Sequence, residues 1–127
     1  MDKKAVWPGG SSPLAPYSPG IITGNLVFVS GQVPMNPDTK SLVEGPFEDH
    51  VRQCIRNVER ILIAAGTDLQ HAVKVIVFLK DMDNFERLNA VYNEYWGEVR
   101  PARSCVQVAR LPLDVQVEVE AIAVLPD

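Results

Sequence analysis

The chain is poor in cysteine, in long apolar runs and in positive charge, and each shortage removes a class of protein. Cys54 and Cys105 are the only cysteines, too few for a disulfide scaffold, and an intracellular setting would keep both reduced. The longest apolar runs, such as Val75-Ile76-Val77-Phe78-Leu79, fall well short of the ~20 residues that span a bilayer, so no transmembrane segment is expected. At the N-terminus, Met1-Asp2-Lys3-Lys4-Ala5-Val6-Trp7 leads into Pro8, Gly9 and Gly10 instead of the apolar stretch of a secretory signal. Nor is it an Arg- and Ser-rich transit peptide. The cytoplasm is therefore the expected compartment, with mitochondria open to a chain that has lost a presequence. Lys and Arg number 12 against 16 Asp and Glu, a net charge of −4. Such a chain has no general attraction for phosphate backbones, and nucleic acid is not an expected partner. His50 and His71 show no metal-ligand spacing with each other or with the cysteines, so no metal site is expected. The glycines at 9, 10, 20, 24 and 31 form no phosphate-binding loop.

Hydrophobic residues make up 46% and charged residues 22% of the 127 positions, the composition and size of one folded domain over residues 1–127. Proline and glycine crowd residues 8–24, which reads as irregular backbone, with residues 1–13 an irregular N-terminal arm. Ile21-Ile22-Thr23 and Leu26-Val27-Phe28-Val29-Ser30 flank the turn pair Gly24-Asn25 and predict a hairpin. Leu42-Val43 reads as a short strand after a Pro- and Asp-rich loop. Between Phe47 and Ala65, apolar residues recur at Val51, Cys54/Ile55, Val58 and Ile61/Leu62, the spacing of a helix with one buried stripe, closed by Gly66. Residues Ala72 to Lys80 predict a strand. Asp83 then supplies a cap with Glu86 three positions on, and Phe85, Leu88, Val91/Tyr92 and Tyr95/Trp96 carry a second helix to Gly97. Arg103–Arg110 and Val115–Leu125 read as two strands joined by Leu111-Pro112-Leu113-Asp114.

This order predicts an α+β domain, a mixed sheet with two helices on one face. The strand at 72–80 is apolar on both sides, with Val73, Val75, Val77 and Leu79 on one and Ile76 and Phe78 on the other. The last strand likewise alternates Val115, Val117, Val119, Ala121 and Ala123 with Gln116, Glu118, Glu120, Ile122 and Val124. Apolar area buried at ~25 cal/mol per Å² is too valuable to leave wet, so a homo-oligomer packing sheet faces together is expected.

If Arg103–Arg110 pairs antiparallel with Val115–Leu125, keeping Val106 and Val108 beside Val117 and Val119 puts Arg103, Cys105 and Gln107 on one face with Gln116, Glu118 and Glu120. That cluster is either a structural ion-pair network or a site. An arginine fork in a dry cleft suits a small carboxylic acid, and a nearby glutamate can orient or deprotonate water. Cys54 reads as core packing. Cys105 lacks a base that would make it a nucleophile.

The run Pro101-Ala102-Arg103-Ser104-Cys105-Val106-Gln107-Val108-Ala109-Arg110-Leu111-Pro112, followed by Val117-Glu118-Val119-Glu120-Ala121-Ile122-Ala123, resembles the C-terminal signature of the Rid family, the YjgF-like reactive intermediate imine deaminases. Pro16-Tyr17-Ser18, Ser30-Gly31-Gln32-Val33-Pro34, Ala64-Ala65-Gly66 and Val77-Phe78-Leu79-Lys80-Asp81-Met82 resemble further family blocks, in order, from about residue 14 to 124. The resemblance implies a chorismate-mutase-like α+β fold, a homotrimer with clefts between subunits, and no cofactor. It implies hydrolysis of small 2-imino acids or their enamines, such as 2-aminoacrylate, to 2-oxo acids and ammonia. Arg103 would grip the substrate carboxylate and Glu118 would activate water, with Glu120 in support. Gly31 would bring its backbone close to the ligand, and Cys105 would serve through its main chain. Tyr17 and Ser30 would line the cleft with Asn89 near it. Lys40 and Ser41 depart from the family's usual glycine after Thr39, in a turn remote from these residues. Two other activities stay open: a regulatory trimer binding small carboxylates without turnover, and an endoribonuclease that inhibits translation.

Overall fold

The computed structural model describes residues 2–10 and 15–127. Gly24, at φ +58°, closes the tight turn between β2 (Gly20–Thr23) and β3 (Leu26–Gln32), which pair as the expected hairpin. The stripe on α1 (Phe47–Ala65) buries Val51, Cys54, Ile55, Val58, Ile61 and Leu62, and Gly66 ends the helix at φ +97°. Its N–H reaches Ile63 O at 3.0 Å while that of Thr67 reaches Leu62 O at 2.9 Å, satisfying two carbonyls of the last turn. The next strand is β4 (Ala72–Leu79), followed by α2 (Phe85–Tyr92), β5 (Ala102–Gln107) and β6 (Val117–Val124). Leu42 and Met35 form an isolated bridge where a short strand was expected.

The N-terminal arm is not irregular throughout. Lys3–Val6 forms an edge strand, β1, antiparallel to β2, because Val6 reaches into the core and the partner edge is otherwise unpaired. Residue 1 and residues 11–13 of the expected arm lie outside the described residues. The sheet order is β1-β2-β3-β6-β4-β5. All neighbours are antiparallel except β4 and β5, so the sheet is mixed, and α1 and α2 cover one face.

Three local expectations are corrected. Residue Val73 is exposed, because a register shift between Ala72 and Lys74 turns it away from the face that buries Val75, Val77 and Leu79. The second helix stops at Tyr92, four residues short of Trp96: Glu94 N and Tyr95 N bond three residues back, to Val91 O at 2.9 Å and Tyr92 O at 3.2 Å, and Trp96 and Gly97 then take φ of +84° and +78° and turn the chain. The capping side chain is Asp81, not Asp83: it accepts from Asp83 N at 2.9 Å at the head of the 3-10 turn Met82–Asn84, and α2 follows from Asn84 with no side-chain cap of its own.

The largest correction concerns the C-terminal strands. They are not a hairpin: β4 lies between β5 and β6, with β5 parallel to it and β6 antiparallel. The segment carrying α2 is long enough to return the chain as a parallel neighbour, and β6 inserts beside β3. Rows Val75–Arg103–Ala121 and Val77–Cys105–Val119 therefore share the helix-covered face. Phe78, Val106 and Glu118 share the other, as do Ile76, Ser104 and Glu120. No described helix covers that second face, where Phe28 and Val106 are 39% and 43% exposed.

Candidate active site

The seven residues singled out from sequence form two groups. Arg103 and Cys105 project from edge strand β5 toward the helices. The guanidinium of Arg103 donates from Nη1 to Asn89 Oδ1 at 2.8 Å and lies over the Tyr92 ring at 4.7 Å and the Phe85 ring at 5.6 Å from the centroids. Two aromatic faces and one amide thus hold the fork by cation–π contact and a hydrogen bond. None of the ion pairs among the described residues includes Arg103, which leaves Nε and Nη2 donors for an added carboxylate. Burial pushes the Cys105 thiol above its ordinary range, with Arg103 opposing. That makes it a poor nucleophile. Burial also pushes the Tyr92 hydroxyl up to about 12.

The second group is Glu118, Gly31, Ser30 and Tyr17. Strand β3 pairs Val29 with Ala121 but Gln32 with Val119, a bulge that lets one extra residue stand opposite β6. Gly31 occupies it, and a Cβ there would lie only 2.8 Å from Glu118 Cδ and 3.1 Å from Cγ. The glycine is required by this close approach of backbone to carboxylate, and its φ lies outside the left-handed region. Ser30 Oγ donates to Ser18 O at 2.7 Å and its N–H to Pro19 O at 2.9 Å, fastening the segment that carries Tyr17. Gln32 Nε2 donates to Ser30 O at 3.0 Å. A cavity of about 750 Å³ runs along this corner, bounded by Tyr17, Gly31, Glu118 and Asn57 among others. Partial burial, then the nearby charge of Glu120, holds the Glu118 carboxyl above the usual carboxylate range. Among the described residues no cluster of three His, Cys, Asp or Glu side chains could hold a metal ion.

The expected convergence of Arg103, Cys105 and Gln107 with Glu118 and Glu120 on one face is overturned. The two groups project from opposite faces and stand on strands separated by β4. Gln107 instead accepts from Met82 N at 2.7 Å, tying the turn before α2 to β5. Asn57, not singled out from sequence, donates to Val33 O and Met35 O below the Gly31 corner. Its signal was present: an asparagine three residues after Cys54 and four before Ile61 sits on a buried stripe and must be hydrogen-bonded there.

The profile of the family described as endoribonuclease L-PSP matches residues 10–125. A RutC family protein of Pyrococcus horikoshii is 50% identical over 111 residues, 87% of this chain and 88% of that protein. A 2-iminobutanoate/2-iminopropanoate deaminase of Escherichia coli K12 is 42% identical over 127 residues, 98% of each chain. The crystal structure of E. coli TdcF with bound serine superposes with a TM-score of 0.86 at 38% identity, covering 97% of this chain and 99% of that one. This chain belongs to the endoribonuclease L-PSP family, the YjgF-like Rid proteins.

Proposed function

We propose that the protein hydrolyses small 2-imino acids and their enamine tautomers to 2-oxo acids and ammonia, in a site completed between two copies of the chain within a homotrimer. The observation that carries this reading is the state of Arg103. It is an arginine held in place by Asn89, Tyr92 and Phe85 yet paired with no carboxylate of its own, the arrangement of a fork set for an acidic ligand. Support comes from the deaminase relative at 42% identity and from the bound serine, itself a small carboxylate, in the related E. coli structure. The open, partly apolar sheet face supports assembly.

In this reading Arg103 of one copy takes the substrate carboxylate in two hydrogen bonds. Glu118 of a neighbour accepts a proton from water as the oxygen adds to the C=N carbon and the π electrons move to nitrogen. The imine nitrogen gains a proton, giving a carbinolamine. Its C–N bond then breaks as the hydroxyl proton is transferred to the nitrogen, releasing ammonia and the 2-oxo acid. Gly31 leaves room for the Glu118 carboxylate. Ser30 holds Tyr17 at the cleft through Ser18, and Cys105 contributes its main chain. A raised carboxyl pKa makes Glu118 a stronger base than an exposed glutamate.

The family description names an endoribonuclease, but the net charge of −4 offers RNA no electrostatic footing. To test the reading, a dehydratase acting on serine or threonine generates the imine in situ, and semicarbazide traps what remains. Wild-type protein is expected to lower the semicarbazone yield, and Arg103→Ala to leave it unchanged while still assembling. Full activity in Arg103→Ala would overturn the assignment. Binding of a 2-oxo acid without faster imine decay would replace it with a binding role.

A further inference from the structure

Asn57 is a buried polar side chain with no part in the chemistry proposed for Arg103 and Glu118. It stands on α1, 8% exposed. Both of its amide hydrogens are used: Nδ2 donates to Val33 O at 3.0 Å and to Met35 O at 2.8 Å. Its Oδ1 accepts from Gln53 Nε2 at 2.9 Å, so the amide is braced in one orientation.

The two carbonyls it holds belong to the chain just beyond the bulge. Strand β3 makes its last pairing at Gln32, opposite Val119, and from Val33 onward β6 offers no ladder partner. The segment is otherwise held by a second loop, through Val43 N to Pro34 O at 2.9 Å and the Met35–Leu42 bridge. Among the described residues, the side-chain bonds of Asn57 are what tie it to a helix. Gly31, two residues before Val33, is the backbone against which Glu118 rests, and Asn57 borders the same cavity as both. The required side chain is specific: aspartate has the shape without donors, leucine the volume without polarity, and glutamine is a methylene too long.

We propose that Asn57, braced by Gln53, is a positioning residue for Glu118: by fastening Val33 and Met35 to α1 it fixes the Gly31–Gln32 backbone and so the direction in which the Glu118 carboxylate presents water. The proposal rests on the deaminase reading. It places no group on the substrate and leaves the Arg103 grip, on β5 beside α2, untouched. Misplacement by ~1 Å of a group that must meet a reacting atom is enough to cost up to ~100-fold in rate.

The test is steady-state imine hydrolysis by Asn57→Asp, Asn57→Leu and Gln53→Leu, each assayed as assembled protein that elutes like wild type, with melting followed in parallel. The two Asn57 variants are expected to lose ~10- to 100-fold in kcat with KM changed by less than about threefold. Gln53→Leu, which frees only Oδ1, loses less in the same direction. Variants that melt lower but keep wild-type kcat, or that raise KM alone, would overturn the proposal and leave Asn57 a residue of the fold. Should the Asn57 variants fail to assemble, Gln53→Leu decides: a kcat loss at an unchanged melting temperature supports the role and an unchanged kcat refutes it. Wild-type protein that leaves the imine untouched sinks the deaminase reading and this proposal together. Active wild type beside unaffected variants sinks only this one.

Discussion

Substituting Gly31 by alanine separates the two things a glycine can do. Its backbone lies outside the left-handed region, so alanine meets no φ penalty there, but the new Cβ would sit 2.8 Å from Glu118 Cδ and 3.1 Å from Cγ. Both atoms belong to a side chain on the open sheet face, and the cheapest relief is for Glu118 to leave its rotamer, at ~0.5–1.5 kcal/mol. Alanine also removes freedom from the unfolded chain, which stabilises by ~0.4–1 kcal/mol wherever the native backbone accepts it. In the wild-type background the two effects nearly cancel. In a Glu118→Ala background only the second remains, and Gly31→Ala becomes neutral to stabilising. The double-mutant cycle should therefore show a coupling of about 1 kcal/mol between positions 31 and 118, read from urea unfolding at one fixed protomer concentration. Activity should respond far more than stability, falling ~100-fold in kcat as the carboxylate is displaced, with KM little changed. An equal stability change in both backgrounds would show that Gly31 is not selected by Glu118 and would refute the reasoning.

Glu120 should tune the pH profile. Glu118 must be ionised to take a proton, so kcat/KM rises with pH through a pKa above the ordinary 4.5. Glu120→Gln removes the smaller of the two causes and should shift that limb to lower pH without restoring the ordinary value, because burial, the larger cause, stays; a pH–rate series in which the limb stays put or moves up would contradict this. Gly20→Ala should behave oppositely to Gly31→Ala. Its Cβ would meet Ile61 Cγ2 at 2.8 Å in the core, costing ~1–3 kcal/mol by denaturation while kcat of the folded protein holds.

What the sequence disclosed follows the range of the forces involved. Helix α1 was legible because its stripe from Val51 to Leu62 and the stop at Gly66 are local, as was the hairpin closed by Gly24. The alternation of β6 was legible as well, and Val115, Val117, Val119, Ala121 and Ala123 are all buried. Strand pairing is a contact between distant residues, and adjacency along the chain was a poor guide to it. Nothing local in Arg103 to Val108 says that β4 will stand between that strand and β6. Two valines at 106 and 108 suggested the wrong inward parity, and Val106 in fact faces the open side. The site residues were reached through a resemblance spread over several blocks, which names residues without saying on which face each stands. Asn57 lies outside those blocks, and its role depends on a bulge at residues 29–32 that no local pattern announces.

With β4 between them, Arg103 and Glu118 stand on strands two spacings apart, roughly 10 Å, and their side chains leave opposite faces of the sheet. One chain cannot close both groups on a molecule the size of an imino acid, so the proposed chemistry requires Arg103 from one copy and Glu118 from another. Two inactive variants should then complement. Arg103→Ala retains Glu118, Glu118→Ala retains Arg103, and random co-assembly from an equimolar, denatured and refolded mixture leaves about one site in four with both groups intact. The mixture should recover about a quarter of wild-type turnover per site, whereas the same variants refolded separately and then combined cold should recover none until subunits exchange. A mixture as inactive as its parts, despite shown co-assembly, would mean that both groups serve one site from the same chain, whereas a wild-type kcat in either parent alone would mean that the residue it lacks is not catalytic.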